Sequence, residues 1–405
     1  AGEAYLKLSE VAGQVYAVFA TNGSAIAYRA EIDAATLDER VSDLRGTIST
    51  IENGVRLTYP FNVRLAHQLF TELIGPAVDQ MADINHLIFE PDGAMLRLPA
   101  NLLVTEEAGV AAYEQRTDAG SDPFDFTGIA WLGRERAIST ALSARGFRDV
   151  RNLPRSAASR QYLGFGENAP ATGRFQRTNY QSGPSDPRCA WPTSFWSAPI
   201  SADELYTARR LIGEDVSDVV TGSRFTDTSI IERGDLSDYR ILHFATHGLV
   251  TQARSDCPPL PALMTSFAAD ESSDGLLEFS EIFDLKLDAD LVILSACDTA
   301  SAAGIVASAA AGVTGGGSAL DGLVRAFVGA GSRTVIASHW PAPDDFNATE
   351  RLITGVFQAG ATGNLGSSMR AAQLRLMDEP ATSHPYYWAG FAIIGDATQT
   401  VVRAN

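Results

Sequence analysis

The sequence predicts an α/β protein, with a strand-rich N-terminal lobe and a mostly parallel central sheet flanked by helices. Three observations carry this. Short apolar–polar alternations separated by glycine turns fill the first thirty or so residues. After residue 200, strand-like runs alternate with helix-like runs, the order that parallel strands with crossover helices require. The chain has 405 residues, 45% of them hydrophobic, enough to bury more than one core. The expected division is an N-terminal lobe over 1–160 and a second lobe over 161–405.

Taken in order, YLKLS, QVYAVFA and AIAYRAEI alternate, with Gly13 and Asn22-Gly23 between them, and predict an antiparallel meander. Between Asn62 and Ile74, the apolar residues Leu65, Leu69, Phe70, Leu73 and Ile74 recur at helical spacing, and Gly75-Pro76 ends the run. HLIFE reads as a strand leading into the turn Pro91-Asp92-Gly93. The polar stretch 105–125 and the Pro-, Ser-, Gly- and Thr-rich stretch 169–199 are expected to be excursions from the core. ADELYTARRLIG reads as a helix, and DVVTG, RILHFAT and LVILSA as strands. SALDGLVRAFVGAGS presents Leu320, Leu323, Val324, Phe327 and Val328 on one helical face, with Ser318 and Asp321 spaced as a capping box. The strand TVIAS, helices near 349–357 and 367–377, and the strand GFAIIGD complete the second lobe. No internal repeat is present.

Charge and cysteine usage exclude several classes. A formal charge of -18 repels a phosphate backbone, so no nucleic-acid partner is expected. The apolar tract 301–313 is broken by Ser and Gly and is too short to cross a bilayer, so no membrane partner is expected. The opening AGEAYLKL lacks a Met, a basic stretch and a long apolar run; it reads as neither signal peptide nor anchor, and the chain as a piece of something longer. Cys189, Cys257 and Cys297 are odd in number and widely spread, which argues for a reducing compartment, the cytoplasm, and for a free thiol. Cys189 and Cys257 have no CxxC or His companion, so no metal site is expected. Gly315-Gly316-Gly317 has neither a following Lys nor a closely preceding strand, so no nucleotide and no other cofactor is expected.

Reactive groups on an open parallel sheet gather beyond the carboxyl ends of its strands. RILHFAT runs into His247-Gly248, and LVILSA into Cys297-Asp298. A thiol with a pKa of about 8.5 is mostly protonated at neutral pH and needs a neighbouring base, which an imidazole supplies. If the two strands are neighbours, His247 and Cys297 face one cleft, and the N–H groups of Gly248 and Cys297 can hold a developing oxyanion. His243, inside its strand, is expected to be a hydrogen-bonded group behind the site. His339 and Trp340 follow TVIAS at the same edge and are candidates for lining the cleft. His67, His86 and His384 carry no partner signal and are expected at the surface or packed on helices. The tract 301–317 directly after the cysteine is expected to be a loop that orders on activation.

HFATHG followed by LVILSACDTA resembles the motif pair of CHAT domains, bacterial relatives of caspases and separases. The similarity extends through LIFEPDGAMLRLPANLL, GLVRAFVGAGSRTVIASHWPAPDD and HPYYWAGFAIIGD, and the separation of 50 residues between His247 and Cys297 matches the caspase interval. The resemblance implies a caspase-like fold, with His247 as general base and Cys297 as nucleophile of a cysteine endopeptidase working through a thioester on a protein or peptide substrate. It also implies a degenerate, non-catalytic N-terminal half, an upstream helical-repeat or activator partner, and a setting in bacterial defence or regulated cell death. Two departures bear on specificity. Asp298-Thr299-Ala300 replaces the family's Glu-Thr-Gly, and Ser295 occupies the position where relatives that cleave after basic residues place an acid. Ser295, Asp298, His339 and Trp340 are therefore the substrate-binding candidates. The alternative is a catalytically silent CHAT scaffold that binds partners. A thiol phosphatase is disfavoured by Ala303, which stands where a phosphate-binding Arg is needed.

Overall fold

A computed structural model describes residues 2–52, 55–171, 181–182, 191–249, 261–268, 273–295, 317–340, 342–343, 345–360 and 363–402. The N-terminal part carries strands β1 (Glu3–Val11), β2 (Gln14–Thr21) and β3 (Ala25–Asp33), helices α1 (Ala34–Ile48) and α2 (Val63–Ile74), and strand β4 (His86–Glu90). Helix α3 (Glu107–Asp118), strand β5 (Ala137–Thr140) and helix α4 (Ala144–Arg151) follow. The middle of the chain forms β6 (Arg160–Asn168), α5 (Asp203–Ile212), β7 (Ser217–Gly222), β8 (Tyr239–Ala245), β9 (Gly248–Leu249), β10 (Ala262–Met264) and β11 (Leu276–Glu278). Then come α6 (Phe279–Asp284), β12 (Leu291–Ser295), α7 (Gly317–Ala330), β13 (Thr334–Ser338), α8 (Ala348–Ala359), α9 (Leu365–Met377) and β14 (Phe391–Gly395).

The chain divides into two compact units, one of Ala1–Glu52, Arg56–Leu153 and Pro343–Val401, the other of Asn53–Val55, Pro154–Ala342 and Val402–Asn405. The expected division had placed everything after 160 in one lobe. The C-terminal segment instead joins the N-terminal unit, because β14 pairs in parallel with β5 through Ile394 and Thr140.

In the first unit the strands run in the order β14, β5, β4, β1, β2, β3. The expected meander β1–β2–β3 is antiparallel, while β1 also pairs in parallel with β4 in the register Leu6 to Phe89. Helix α1 is capped by the Asp33 side chain, which accepts from the Thr36 N–H, and it buries Leu37, Val41, Leu44 and Ile48 along one stripe. The stretch 105–125, expected to be an excursion, contains α3. That helix buries only Val110 and Tyr113, too few apolar positions to show a period in the sequence. Two of the histidines without a sequence signal are buried and hydrogen-bonded, which corrects their expected surface or helix-packing role. His86 Nδ1 lies 2.9 Å from Glu3 Oε1 and its Nε2 2.9 Å from Ser139 Oγ. His384 donates from Nε2 to the Tyr59 carbonyl at 3.0 Å and accepts the Tyr386 N–H at Nδ1, and burial pushes its pKa down to about 4. His67, half-buried on α2, sits 2.9 Å from the Val104 carbonyl.

In the second unit five strands run in the order β7, β6, β8, β12, β13, and every neighbouring pair is parallel. The expected strands are present as β7, β8, β12 and β13, and β6 is an addition inside the sheet. One face is aromatic: Phe165 stacks on Phe244 at 5.2 Å, with Phe225 and Phe327 of α7 beside them. The other face carries Gly164, Gly166 and Ala245, against which Leu205 of α5 packs. At the amino ends, the buried guanidinium of Arg240 holds Asp290 at 2.8 Å and Gln161 at 2.6 Å, and Asp290 also accepts the Ser156 N–H at 2.9 Å. Strands β9, β10 and β11 form a small antiparallel sheet. Among the described residues no helix is long and apolar enough to cross a membrane.

Candidate active site

Strands β8 and β12 are direct parallel neighbours, with Ala245 opposite Ser295. The two strands that precede His247 and Cys297 therefore end side by side at the carboxyl-end edge of the sheet. Cys297 and Asp298 lie outside the described residues, as do Cys189, Cys257 and nearly all of the tract 301–317.

His247 comes one residue after Thr246, just past the end of β8, and it is buried. Its backbone is pinned on both sides. The Thr246 hydroxyl donates to the Met264 carbonyl at 2.7 Å, and the Met264 N–H donates to the His247 carbonyl at 2.8 Å. Gly248 continues into β9, paired with Leu263. The ring is fixed as well, since His247 Nε2 lies 2.7 Å from the Ala198 carbonyl oxygen. A carbonyl can only accept, so Nε2 carries the proton, and in the neutral imidazole Nδ1 is then the basic nitrogen.

Ala198 belongs to the Pro- and Ser-rich stretch expected to be an excursion, yet it follows a 3-10 turn, Thr193–Ser197, that is anchored in a core. Trp196 is fully buried among Phe195, Leu249, Met264 and Leu276, and its indole N–H donates to the Thr265 carbonyl at 2.7 Å. An apolar plug thus holds the backbone carbonyl that orients the imidazole. Sequence reasoning missed this group because a main-chain acceptor leaves no residue-type signature.

His243 is fully buried, the hydrogen-bonded group expected of it. Its Nδ1 lies 2.9 Å from Tyr162 Oη, and its Nε2 lies 3.0 Å from Glu204 Oε1 and 3.3 Å from Ser295 Oγ. Ser295, a substrate-binding candidate, is 3% exposed and turns its hydroxyl toward this interior network. His339 and Trp340 follow β13, which pairs with β12 through Val335 and Ile336, so they share the edge with His247. Trp340 is buried, and its carbonyl accepts the Ser338 hydroxyl; His339 is half-buried, with ring centroids 6.4 Å from those of Trp340. Tyr162 and Glu204 had no place in the sequence reading. An acid in the first turn of a helix usually serves the helix dipole, which hides any other role.

The sequence profile of the CHAT domain matches residues 63–396, and the chain belongs to that family. Its relatives include tetratricopeptide repeat protein 28 of Mus musculus, 33% identical over 147 residues that make up 35% of this chain and 5% of that protein. The chain thus spans only a small fraction of the curated relative it matches. Solved structures that align with the chain include the Arg-specific cysteine proteinase gingipain R, at 11% identity and a TM-score of 0.42, covering 85% of this chain and 69% of that one. The separase–securin complex of Saccharomyces cerevisiae aligns at 7% identity and a TM-score of 0.45, covering 97% of this chain and 30% of that chain.

Proposed function

We propose that the chain is a cysteine endopeptidase in which His247 and Cys297 form the catalytic dyad. The observation that carries this reading is the register of β8 against β12: Ala245 and Ser295 are opposed, and His247 and Cys297 each stand two residues further along the chain. Two peptide units span at most about 7 Å, so the thiol follows closely on a strand end that adjoins the strand leading to the imidazole.

In the reaction, His247 Nδ1 takes the Cys297 thiol proton, and the thiolate adds to the scissile carbonyl carbon. The tetrahedral oxyanion is met by the N–H groups of Gly248 and Cys297. As the C–N bond breaks, the imidazolium returns its proton to the leaving amine, and a thioester remains. His247 then deprotonates water, which releases the acid and the thiol. The Ala198 carbonyl keeps the Nε2 proton in place throughout. Asp298 and His339 are the side chains proposed to contact substrate. The unit built from residues 2–52, 56–153 and 343–401 contains none of the three cysteines, which supports a non-catalytic role for it. The match to a tetratricopeptide repeat protein supports a helical-repeat segment or partner as activator, and a nucleophilic thiol suits a reducing cytoplasm. Bacterial defence or regulated cell death is the setting the family resemblance implies.

Iodoacetamide labelling followed by peptide mass spectrometry tests the dyad. Cys297 should react far faster than Cys189 or Cys257, and His247→Ala should slow Cys297 alone. Equal rates at all three cysteines would leave the silent-scaffold reading. A cleavage-site library read against Cys297→Ala then identifies the substrate sequence.

A further inference from the structure

We propose that Glu204 is a positioning residue for the nucleophile, holding the end of β12 through His243 and Ser295. The inference rests on the thiol-peptidase reading, because it concerns the strand that leads into Cys297.

Four side chains from four elements meet beneath the strand ends: Tyr162 of β6, Glu204 of α5, His243 of β8 and Ser295 of β12. Their exposures are 0%, 6%, 0% and 3%, so water does not complete their hydrogen bonds. The proton positions follow from chemistry. A carboxylate only accepts, so His243 Nε2 donates to Glu204 at 3.0 Å, with Ser295 Oγ 3.3 Å from the same nitrogen. Nδ1 is then the acceptor for the Tyr162 hydroxyl at 2.9 Å. Burial, with the Glu204 charge nearby, holds that phenol protonated well above its ordinary range, which keeps it a donor.

Burying a carboxylate is costly, and an apolar side chain of similar size packs at less expense. A charge kept at such a place calls for a reason beyond stability, and its partners supply one. Glu204 enters from the first turn of α5, where the helix dipole favours an anion. The helix reaches the sheet because β6 has no side chains at two positions. A Cβ on Gly164 would lie 3.1 Å from the Tyr162 hydroxyl, and one on Gly166 would lie 2.9 Å from Leu205 Cδ1. Close seating delivers the carboxylate to His243, and His243 reaches across to the last residue of β12. The chain from Glu204 ends two residues before Cys297.

The test measures the second-order rate of Cys297 alkylation by iodoacetamide in the full chain from pH 5 to 10, beside thermal unfolding. Cys189 and Cys257 serve as internal controls. Glu204→Ala should slow Cys297 roughly tenfold or more at the plateau while the control cysteines keep their rates, since small misplacements of a reacting group cost that much. Glu204→Gln retains an acceptor oxygen for His243 Nε2–H and should recover the rate to within about twofold. Ser295→Ala cuts only the last link and should also slow Cys297, which keeps the inference testable if Glu204→Ala does not fold. A folded Glu204→Ala or Ser295→Ala that reacts at the wild-type rate overturns the positioning role, as does a Gln variant as slow as the Ala variant. If His247→Ala leaves Cys297 unchanged, the dyad itself fails. If His247→Ala is slow while the Glu204 and Ser295 variants are not, only the positioning role does.

Discussion

Gly166→Ala offers a direct test of how tightly the five-stranded parallel sheet is assembled. Gly166 sits in β6 opposite Ala245 of β8. A Cβ there would stand 2.4 Å from the Ala245 carbonyl oxygen and 2.9 Å from Leu205 Cδ1, closer than real Cβ atoms approach. Leu205 can turn aside, but the carbonyl is backbone in the middle of a parallel ladder, so the strands must part or tilt. Overpacking of this kind costs about 1–3 kcal/mol, and the gain from replacing a strand glycine returns only roughly 0.5–1 kcal/mol. Because the nearest obstacle is backbone, the upper part of that cost applies, and the net expectation is a loss of about 1–2.5 kcal/mol. Urea unfolding followed by tryptophan fluorescence should show a lower midpoint with an unchanged slope. Gly46→Ala in α1 is the matched control, since a Cβ there meets nothing within 4 Å and a helix-interior alanine should stabilise slightly. Gly166→Ala with wild-type stability would refute the close seating of α5 and β8 on β6.

Arg240→Ala removes the closest cation from the buried Asp290 carboxylate, leaving it the Ser156 N–H and Arg333 at 3.7 Å, and should cost up to about 3–5 kcal/mol in chemical denaturation, with the Arg240→Ala/Asp290→Ala double variant losing less than the two singles together. His243→Ala should destabilise measurably, by about 1–3 kcal/mol in chemical denaturation, because it takes from the buried Glu204 carboxylate and the buried Tyr162 hydroxyl the ring nitrogens they bond; wild-type stability would contradict this. Burial and neighbouring acids raise the Glu281 pKa to about 7, so the folded chain keeps a proton that the unfolded chain has released, and stability falls as pH rises from about 4.5 through 7. Glu281→Gln should therefore raise the melting temperature more at pH 8 than at pH 5. His384 has the opposite sign: its lowered pKa means the unfolded chain binds the proton first, and stability falls between pH 6.5 and 4, by about 3 kcal/mol at the lower end. An unchanged acid limb in His384→Gln would exclude that contribution.

The parts of the fold that were legible have one-dimensional signatures. LVILS and TVIAS are buried on both faces, so they read as continuous apolar runs, and the meander alternates because one face is wet. The parallel pairing of β1 with β4 joins segments far apart in the chain, and nothing local encodes it. Strand β6 was missed for a physical reason: RQYLGFGEN carries two glycines, which weaken a strand signal but are required where Leu205 and Ala245 crowd the backbone. The place of His247 just past the end of a buried strand was legible from the run RILHFAT that precedes it. The Ala198 carbonyl was not, and neither was the role of Glu204, whose place in a helix's first turn has an ordinary explanation of its own.

The two histidines of HFATHG sit four residues apart, and the end of β8 assigns them different work. His243 lies within the strand, on the face that α5 covers, so its ring is enclosed and its Nε2 proton goes to a buried carboxylate. His247 lies beyond the strand end, where the ladder no longer dictates direction, and its Nε2 proton goes to a neutral carbonyl held by a tryptophan plug. Both rings are thereby locked in the same tautomer, but with opposite consequences. In His243 the remaining nitrogen is consumed by Tyr162, which makes the residue a strut. In His247 the ring stands beyond the strand end, next to the strand that leads toward Cys297, and it is the residue proposed as the base. One motif can therefore enclose one imidazole within the sheet and set the other beyond it because the strand stops between them.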